Sequence, residues 1–124
     1  MNEIENNEIK SIFFDLSRKS ILPKYKNLKD DEIKIKGNND IYTVVDIIIE
    51  KKLKKILNKL LPGSLFVGEE SYSNSIDIIK KYNEKKYCWT VDPLDGTKNF
   101  VKGIDRFAVM LSLSFSKQIL QSWI

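Results

Sequence analysis

Apolar residues recur at helical spacing in two stretches of the chain, which predicts two amphipathic helices. The first helix covers about residues 3–20 and is closed by Pro23. The second starts at Thr43 and ends at the Pro-Gly step of residues 62–63, with lysines on its polar face. The apolar faces consist of Ile9, Ile12, Phe13 and Leu16 in the first helix and of Ile49, Leu53, Ile56, Leu57 and Leu60 in the second.

Five further stretches have the pattern of β-strands. Residues 32–37 alternate charged and apolar positions, and four apolar runs follow after the second helix. These runs are residues 65–68, 87–91, 106–115 and 119–124. Turns are expected at residues 38–40 and 116–118, and the polar residues 72–86 predict a loop with one helical turn. The order of elements predicts an α/β (α+β) layered sandwich, in which helices pack on a mixed, mostly antiparallel sheet.

Composition narrows the class of protein. The 124 residues suit one domain, and 42% hydrophobic with 31% charged residues is typical of a globular chain. The net charge of +4 comes from lysines scattered over polar helix faces, which indicates a solvated surface and no nucleic-acid partner. The chain has no histidine, so Ser-His and Cys-His catalysis and histidine-ligated zinc are excluded.

The single cysteine and the apolar stretches bear on localisation. Cys88 lies in an apolar strand, where a buried small side chain is expected, and alone it forms no internal disulfide. That fits a reducing compartment. The first ten residues carry acids and no apolar signal core, and the longest apolar run is too short for a membrane helix. We therefore expect a cytoplasmic protein with no membrane partner.

Acidic residues are concentrated where predicted strands end or helices begin. Glu69 and Glu70 follow the strand at 65–68, Asp92 and Asp95 follow the strand at 87–91, and Asp46 lies just inside the second helix. Carboxylates gathered in one cleft repel each other unless cations lie between them. Oxygen ligands without histidine or thiolate favour Mg²⁺, with Mn²⁺ as the alternative.

The run Asp92-Pro-Leu-Asp95 predicts more than two metal ligands. A turn fixed by the proline would let both aspartates point to one place, and the carbonyl of Leu94 offers another oxygen. Gly96 and Thr97 follow where a helix could start, so backbone N–H groups and a hydroxyl would face the same cleft. A metal cluster beside such a start is a phosphate site.

Each of these features also has a purely structural explanation. Thr43 and Asp46 have the spacing of a helix capping box. The pair of glutamates at 69–70 is typical of an exposed surface, and the run at 92–96 of a turn with side-chain caps. The combination of all three, in this order and after strands, favours a functional site.

The chain resembles the inositol monophosphatase family, part of the Mg²⁺-dependent, lithium-sensitive phosphatases that include bisphosphate nucleotidases and fructose bisphosphatases. The matching stretches are "DIYTVVD" at 40–46, "LFVGEES" at 65–71 and "WTVDPLDGTKNFVKG" at 89–103, with "RFAVMLSL" and "ILQSWI" where the family's next strands run. The resemblance is specific from about Lys36 to Ile124.

The resemblance implies a role for each acidic residue. Glu69 would bind a first metal ion together with Asp92 and the carbonyl of Leu94. Asp92 would bridge to a second metal ion, which Asp95 also binds. Glu70 would lie near the cluster and act through water or a weaker third metal.

The same resemblance implies the catalytic and substrate-binding groups. Asp46 and Thr97 would form a hydrogen-bonded pair that orients and deprotonates the attacking water, with Glu69 as the third catalytic residue. The backbone amides of Gly96 and Thr97 would hold phosphate oxygens, and Asp95 would also contact the substrate. Lys36 would be a neighbour of the site.

The family's chains are roughly twice as long, and their second half supplies a further aspartate and most substrate contacts. We therefore expect residues 1–124 to be the N-terminal, metal-binding half of such a domain, without its C-terminal half. The implied activity is hydrolysis of a small phosphate monoester, inositol 1-phosphate or a related sugar phosphate. A bisphosphate nucleotidase, a histidinol phosphatase and a catalytically impaired metal-binding fragment are the alternatives. Full-length relatives are expected to form homodimers.

Overall fold

The computed structural model describes residues 4–37, 40–69 and 80–124. The α-helices whose residues are all described are α1 (Asn6–Leu16), α2 (Val44–Leu60) and α3 (Thr97–Val101). A π-helical turn, Ser17–Ile21, and a 3₁₀ turn, Leu22–Lys24, continue α1, and another 3₁₀ turn covers Asp30–Glu32. The strands are β1 (Ile33–Lys36), β2 (Asp40–Thr43), β3 (Leu65–Gly68), β4 (Tyr87–Asp95), β5 (Ala108–Phe115) and β6 (Gln118–Trp123).

Four of the strands form one mixed sheet. Their order is β3-β4-β5-β6, with β3 parallel to β4 and the other neighbours antiparallel. Strands β1 and β2 form a separate antiparallel hairpin that leads into α2. Helices on a mostly antiparallel sheet confirm the predicted fold class.

The core lies between α2 and one face of the sheet. Ile49, Leu53 and Leu57 are fully buried, and they belong to the same cluster as Trp89 and Leu113 of the sheet. These helix positions are three of the five predicted for the apolar face, while Ile56 and Leu60 are partly buried. On α1, Ile9 and Leu16 are buried and complete this layer.

Cys88 is buried as predicted, and burial raises the pKa of its thiol to about 11. At neutral pH the thiol is therefore protonated and unreactive, because the thiolate is the nucleophilic form.

The structure differs from the predicted elements at three places. Asp40, expected in a turn, begins β2, which pairs with β1 through Lys36 and Asp40. The first helix changes from α to π geometry at Ser17, and Pro23 lies in the 3₁₀ turn that follows. Strand β4 continues past residue 91 through the proline to Asp95. Patterns of apolar residues predict the existence of an element better than its ends.

The expected turn before the last strand is present. Ser116 and Lys117 both have positive φ, of 47° and 73°, which matches the handedness of a tight two-residue hairpin between β5 and β6. Of the loop predicted at 72–86, residues 72–79 lie outside the described residues, and residues 80–83 are helical. Within the described part of the chain, no helix is both long and apolar enough to cross a bilayer.

Candidate active site

Asp46 is held at the start of α2 by a reciprocal cap. The hydroxyl of Thr43, the N-cap residue, accepts hydrogen bonds from the backbone N–H groups of Val45 and Asp46. In return Asp46 Oδ2 accepts from the Thr43 backbone N–H at 2.8 Å and from its hydroxyl at 2.7 Å. The predicted capping box is therefore present, and it fixes one carboxylate oxygen of Asp46.

The second carboxylate oxygen of Asp46 faces α3. Thr97 Oγ1 lies 3.0 Å from Asp46 Oδ1 and 2.8 Å from the carbonyl oxygen of Leu94. A hydroxyl has one proton, so Thr97 donates to only one of these two acceptors at a time. The Asp46 carboxylate and the Leu94 carbonyl therefore compete for the one hydroxyl proton of Thr97. The fold thus links the residues implied as base and as carbonyl metal ligand through one hydroxyl.

Burial governs the proton affinity of Asp46. Only 1% of the residue is exposed, and burial raises its pKa above the ordinary value of 3.8. Hydrogen bonds from Thr43 and Thr97 lower the pKa, but by less. The carboxylate is therefore a stronger base than a solvated aspartate.

The Asp-Pro-Leu-Asp run is a bulged part of β4 rather than the turn that the sequence indicated. Asp92 pairs with Met110 of β5, and Asp95 with Ala108, so three steps on β4 match two on β5. Aspartates three residues apart would lie on opposite faces of a regular strand. The extra residue of the bulge shifts the alternation of side chains by one, so both aspartates can lie on the same face of β4. Pro93 is tolerated because its position in the bulge needs no backbone N–H to pair with the neighbouring strand.

The first two predicted metal ligands are Glu69, which directly follows β3, and Asp92, which lies within the neighbouring strand β4. Because Gly68 pairs with Val91 in the parallel ladder, Glu69 comes beside Asp92, and the Glu69 backbone N–H donates to the Val91 carbonyl at 3.3 Å. Asp92 Oδ1 is buried and has no hydrogen-bond partner in the described structure. A buried carboxylate oxygen without a donor is costly unless a cation neutralises it.

Gly96 joins β4 to α3 under two constraints. Its φ is 84°, in the left-handed region that favours glycine. A Cβ built there would lie 2.6 Å from the carbonyl oxygen of Arg106. The chain turns sharply enough for Thr97 to return to Asp46 because no side chain stands at residue 96.

The remaining predicted site residues are placed differently. Lys36 ends β1, and its Nζ lies 5.6 Å from the ring centre of Tyr42, a cation–π contact. Glu70 lies outside the described residues. Among residues 4–37, 40–69 and 80–124, no three acidic or thiol side chains are close enough to hold a metal ion. The metal site that the resemblance implies therefore stays a prediction.

Thr43 has a larger part in the site than the sequence indicated. It was expected only as a helix cap, yet its hydroxyl and backbone N–H also hold the carboxylate of Asp46. The capping spacing itself carries this signal, because the acidic third residue of such a box is held by the N-cap backbone.

The sequence of this chain is similar to those of known proteins. The model of the Inositol monophosphatase family matches residues 6–124. The chain belongs to the inositol monophosphatase family. A "Fructose-1,6-bisphosphatase/inositol-1-monophosphatase" of Aquifex aeolicus is 34% identical over 72% of this chain and 31% of its own. An inositol monophosphatase of Dictyostelium discoideum is 36% identical over 80% of this chain and 35% of its own.

Solved structures of the inositol monophosphatase family share the fold. The extragenic suppressor protein suhB from Bartonella henselae matches with a TM-score of 0.74 and 29% identity, over 94% of this chain and 42% of that protein. The chain spans about a third of the length of the curated relatives it matches. The similarity that shows membership of the inositol monophosphatase family therefore covers only part of the length of these relatives.

Proposed function

We propose that this chain is the metal-binding part of a hydrolase that cleaves a small phosphate monoester with water. Inositol 1-phosphate or a related sugar phosphate is the proposed substrate. The proposal rests on the Thr97 hydroxyl, which lies within hydrogen-bonding distance of both the buried Asp46 carboxylate and the Leu94 carbonyl. A helix cap alone requires neither of these contacts.

In the proposed reaction Asp46 and Thr97 move one proton. Thr97 Oγ1 accepts a proton from the attacking water while its own proton passes to Asp46 Oδ1, 3.0 Å away. The raised pKa of Asp46 favours this transfer, and the two bonds from Thr43 to Oδ2 keep Oδ1 directed at Thr97. The base is thus oriented before substrate arrives.

We propose that Glu69, Asp92, Asp95 and the Leu94 carbonyl bind Mg²⁺, or Mn²⁺ in its place. The donor set fits such a cation because all four groups are oxygen ligands and Asp92 Oδ1 is buried without a partner among the described residues. When bound, the metal would supply charge stabilisation at the phosphate and a lower pKa for the nucleophilic water. Glu70 and Lys36 are proposed as further neighbours.

The substrate would be held by the turn after β4. We propose that the backbone amides of Gly96 and Thr97 bind phosphate oxygens and that Asp95, exposed at the end of β4, contacts the rest of the substrate. Helix α3 has only five residues, so these amides contribute by direct hydrogen bonds more than by a helix dipole.

The proposed setting is the cytoplasm, with a small phosphorylated substrate and without a nucleic-acid or membrane partner. A homodimer is proposed for the full-length form. A catalytically impaired metal-binding fragment is the alternative proposal for this chain, which spans about a third of the length of its curated relatives.

The test is phosphate release by the native gene product with Mg²⁺ and with EDTA. Inositol 1-phosphate, adenosine 3′,5′-bisphosphate and histidinol phosphate are compared as substrates. Turnover that needs the metal and falls by about 10³-fold or more in Asp92→Asn is expected, since Asp92 would be one of the residues that hold the Mg²⁺. The matched control is Asp15→Asn, an exposed position on α1, which should leave the rate unchanged.

Activity that survives Asp92→Asn would refute the proposed site. Faster turnover of either alternative substrate would replace the proposed one. Metal binding without turnover would leave the impaired fragment as the correct description.

A further inference from the structure

Glu50 is a buried charged residue on α2. It is 6% exposed and lies four residues after Asp46, so both side chains are on the same face of the helix. Its neighbours along that face are the apolar Ile49 and Leu53, both fully buried. Burying a carboxylate among such residues costs free energy that a leucine would not.

The Glu50 side chain lies against the backbone of Gly68. A Cβ built on Gly68 would overlap Glu50 Oε1 and Cδ and would lie 2.9 Å from Cγ. Gly68 is buried in β3 and has no left-handed backbone, unlike the other four glycines. The Glu50 side chain therefore occupies the space that a side chain at residue 68 would need, and an alanine there would displace it.

Gly68 in turn sets the position of Glu69. It is the last residue of β3, paired with Val91, and the Glu69 backbone N–H donates to the Val91 carbonyl just beyond it. A displacement of Gly68 away from α2 would therefore move Glu69 relative to Asp92 on the neighbouring strand. Side chains that bind metal tolerate little error in position.

We propose that Glu50 is a positioning residue for the metal site. Its side chain packs into the space left by the missing side chain of Gly68 and holds the end of β3, and hence Glu69, at a fixed distance from Asp92. This inference rests on the proposed function, since it assumes that Glu69 and Asp92 share a metal ion. Glu50 acts through the backbone of residues 68–69 and is not itself a ligand.

The test measures Mn²⁺ affinity of the chain from the electron paramagnetic resonance signal of the free ion. Glu50→Ala is expected to weaken binding by about 10-fold, the lower range for residues that orient metal ligands. Glu50→Gln keeps the shape of the side chain and should restore most of that loss. Glu8→Gln, an exposed position on α1, is the matched control and should bind as the wild type.

The steric part of the inference has its own test in Gly68→Ala and the double variant. Gly68→Ala alone should weaken Mn²⁺ binding because its Cβ meets the Glu50 side chain. In Glu50→Ala with Gly68→Ala the new methyl group enters the vacated space, so the double variant should bind no more weakly than Glu50→Ala alone. Losses that multiply in the double variant would overturn the inference.

Asp92→Asn separates this inference from the proposed function. If Asp92→Asn binds Mn²⁺ like the wild type, the proposed metal site is wrong, and the proposed role of Glu50 is wrong as well. If Asp92→Asn loses binding while Glu50→Ala retains it, only the role of Glu50 is overturned. Thermal unfolding of each variant identifies loss of fold, and the conservative Glu50→Gln and the double variant keep the test decisive if Glu50→Ala unfolds.

Discussion

The candidate site has two halves, Asp46 at the start of α2 and the acidic residues of the sheet. They differ in how many carboxylate oxygens receive hydrogen bonds from protein groups. On the α2 side, both oxygens of the Asp46 carboxylate have hydrogen-bond donors, from Thr43 and from Thr97. On the sheet side, Asp92 Oδ1 is buried without a partner among the described residues. The carboxylate of the proposed base is thus held by protein hydrogen bonds, whereas one carboxylate oxygen of Asp92 has none among the described residues.

This difference follows from the way each half is built. Asp46 is fixed by local contacts at a helix start, three residues from its partner Thr43, and such contacts form with the helix. The sheet side is assembled from separate strands, so Glu69 and Asp92 become neighbours only through the pairing of β3 with β4. Because no protein group among the described residues donates to Asp92 Oδ1, this oxygen is available to the proposed metal ion.

The largest expected effect comes from Asp46→Asn, which tests whether the organised half is a base or only a cap. Asparagine can accept from Thr43 with its oxygen and donate to Thr97 with its nitrogen, and Thr97 can then donate to Leu94. Stability should therefore change little at acid pH, where Asp46 is protonated and uncharged like asparagine. Phosphate release should fall by about 10²-fold or more, as expected for loss of a general base. Unchanged kcat would show that Asp46 is only a cap.

The same variant has a pH signature. The pKa of Asp46 is raised in the folded state, so its contribution to stability is fully present below pH 3.8 and is lost as pH rises through the folded pKa. The melting temperature of Asp46→Asn relative to wild type should therefore increase across that range. The acid limb of wild-type kcat should lie above pH 3.8, because the base must be ionised.

A smaller effect is expected from Gly96→Ala, which tests the connection between the two halves. The left-handed backbone alone costs about 1–2 kcal/mol with a side chain, and the clash with the Arg106 carbonyl adds to it. Gly63→Ala is the matched control, because its φ is 83° and nothing lies within 4 Å of the added Cβ.

Denaturant unfolding of both glycine variants separates the two costs. The excess loss in Gly96→Ala over Gly63→Ala measures the clash. Equal losses of unfolding free energy would mean that the backbone at residue 96 moves to accommodate the added Cβ. In that case the turn does not hold Thr97 in place.

The smallest effect is expected from Thr43→Ala, which removes the cap and the donor to Asp46. Loss of an N-cap costs about 1 kcal/mol of unfolding free energy. Because the lost hydrogen bonds lower the pKa of Asp46, the acid limb of kcat should also move to higher pH. Thr43→Ser keeps the hydroxyl and should resemble the wild type in both measurements. A limb that stays in place would contradict the link between cap and base.

Local patterns predicted most of what is local in the structure. The capping spacing of Thr43 and Asp46, the apolar face of α2 and the tight turn at 116–117 are all present. Each is determined by residues within a few positions of one another, so the sequence contains its cause.

The errors in prediction lie where distant residues decide the conformation. Strand β2 was missed because four residues after a turn become a strand only by pairing with β1. The Asp-Pro-Leu-Asp run indicated a turn, but β5 holds it as a bulged strand, and the register with Met110 and Ala108 determines the alternation of its two aspartates. Pairing partners are not visible in the run itself.

The sequence by itself determined the chemistry of the site, because only the side chains supply hard oxygen ligands, a hydroxyl and no histidine. It also determined the family, through motifs that span much of the chain. Only the tertiary structure decided that Thr97 reaches Asp46 across 51 positions, that Asp92 keeps a buried oxygen without a protein donor among the described residues, and that Gly68 must accommodate Glu50. These are properties of packing between separate elements, which no local pattern specifies.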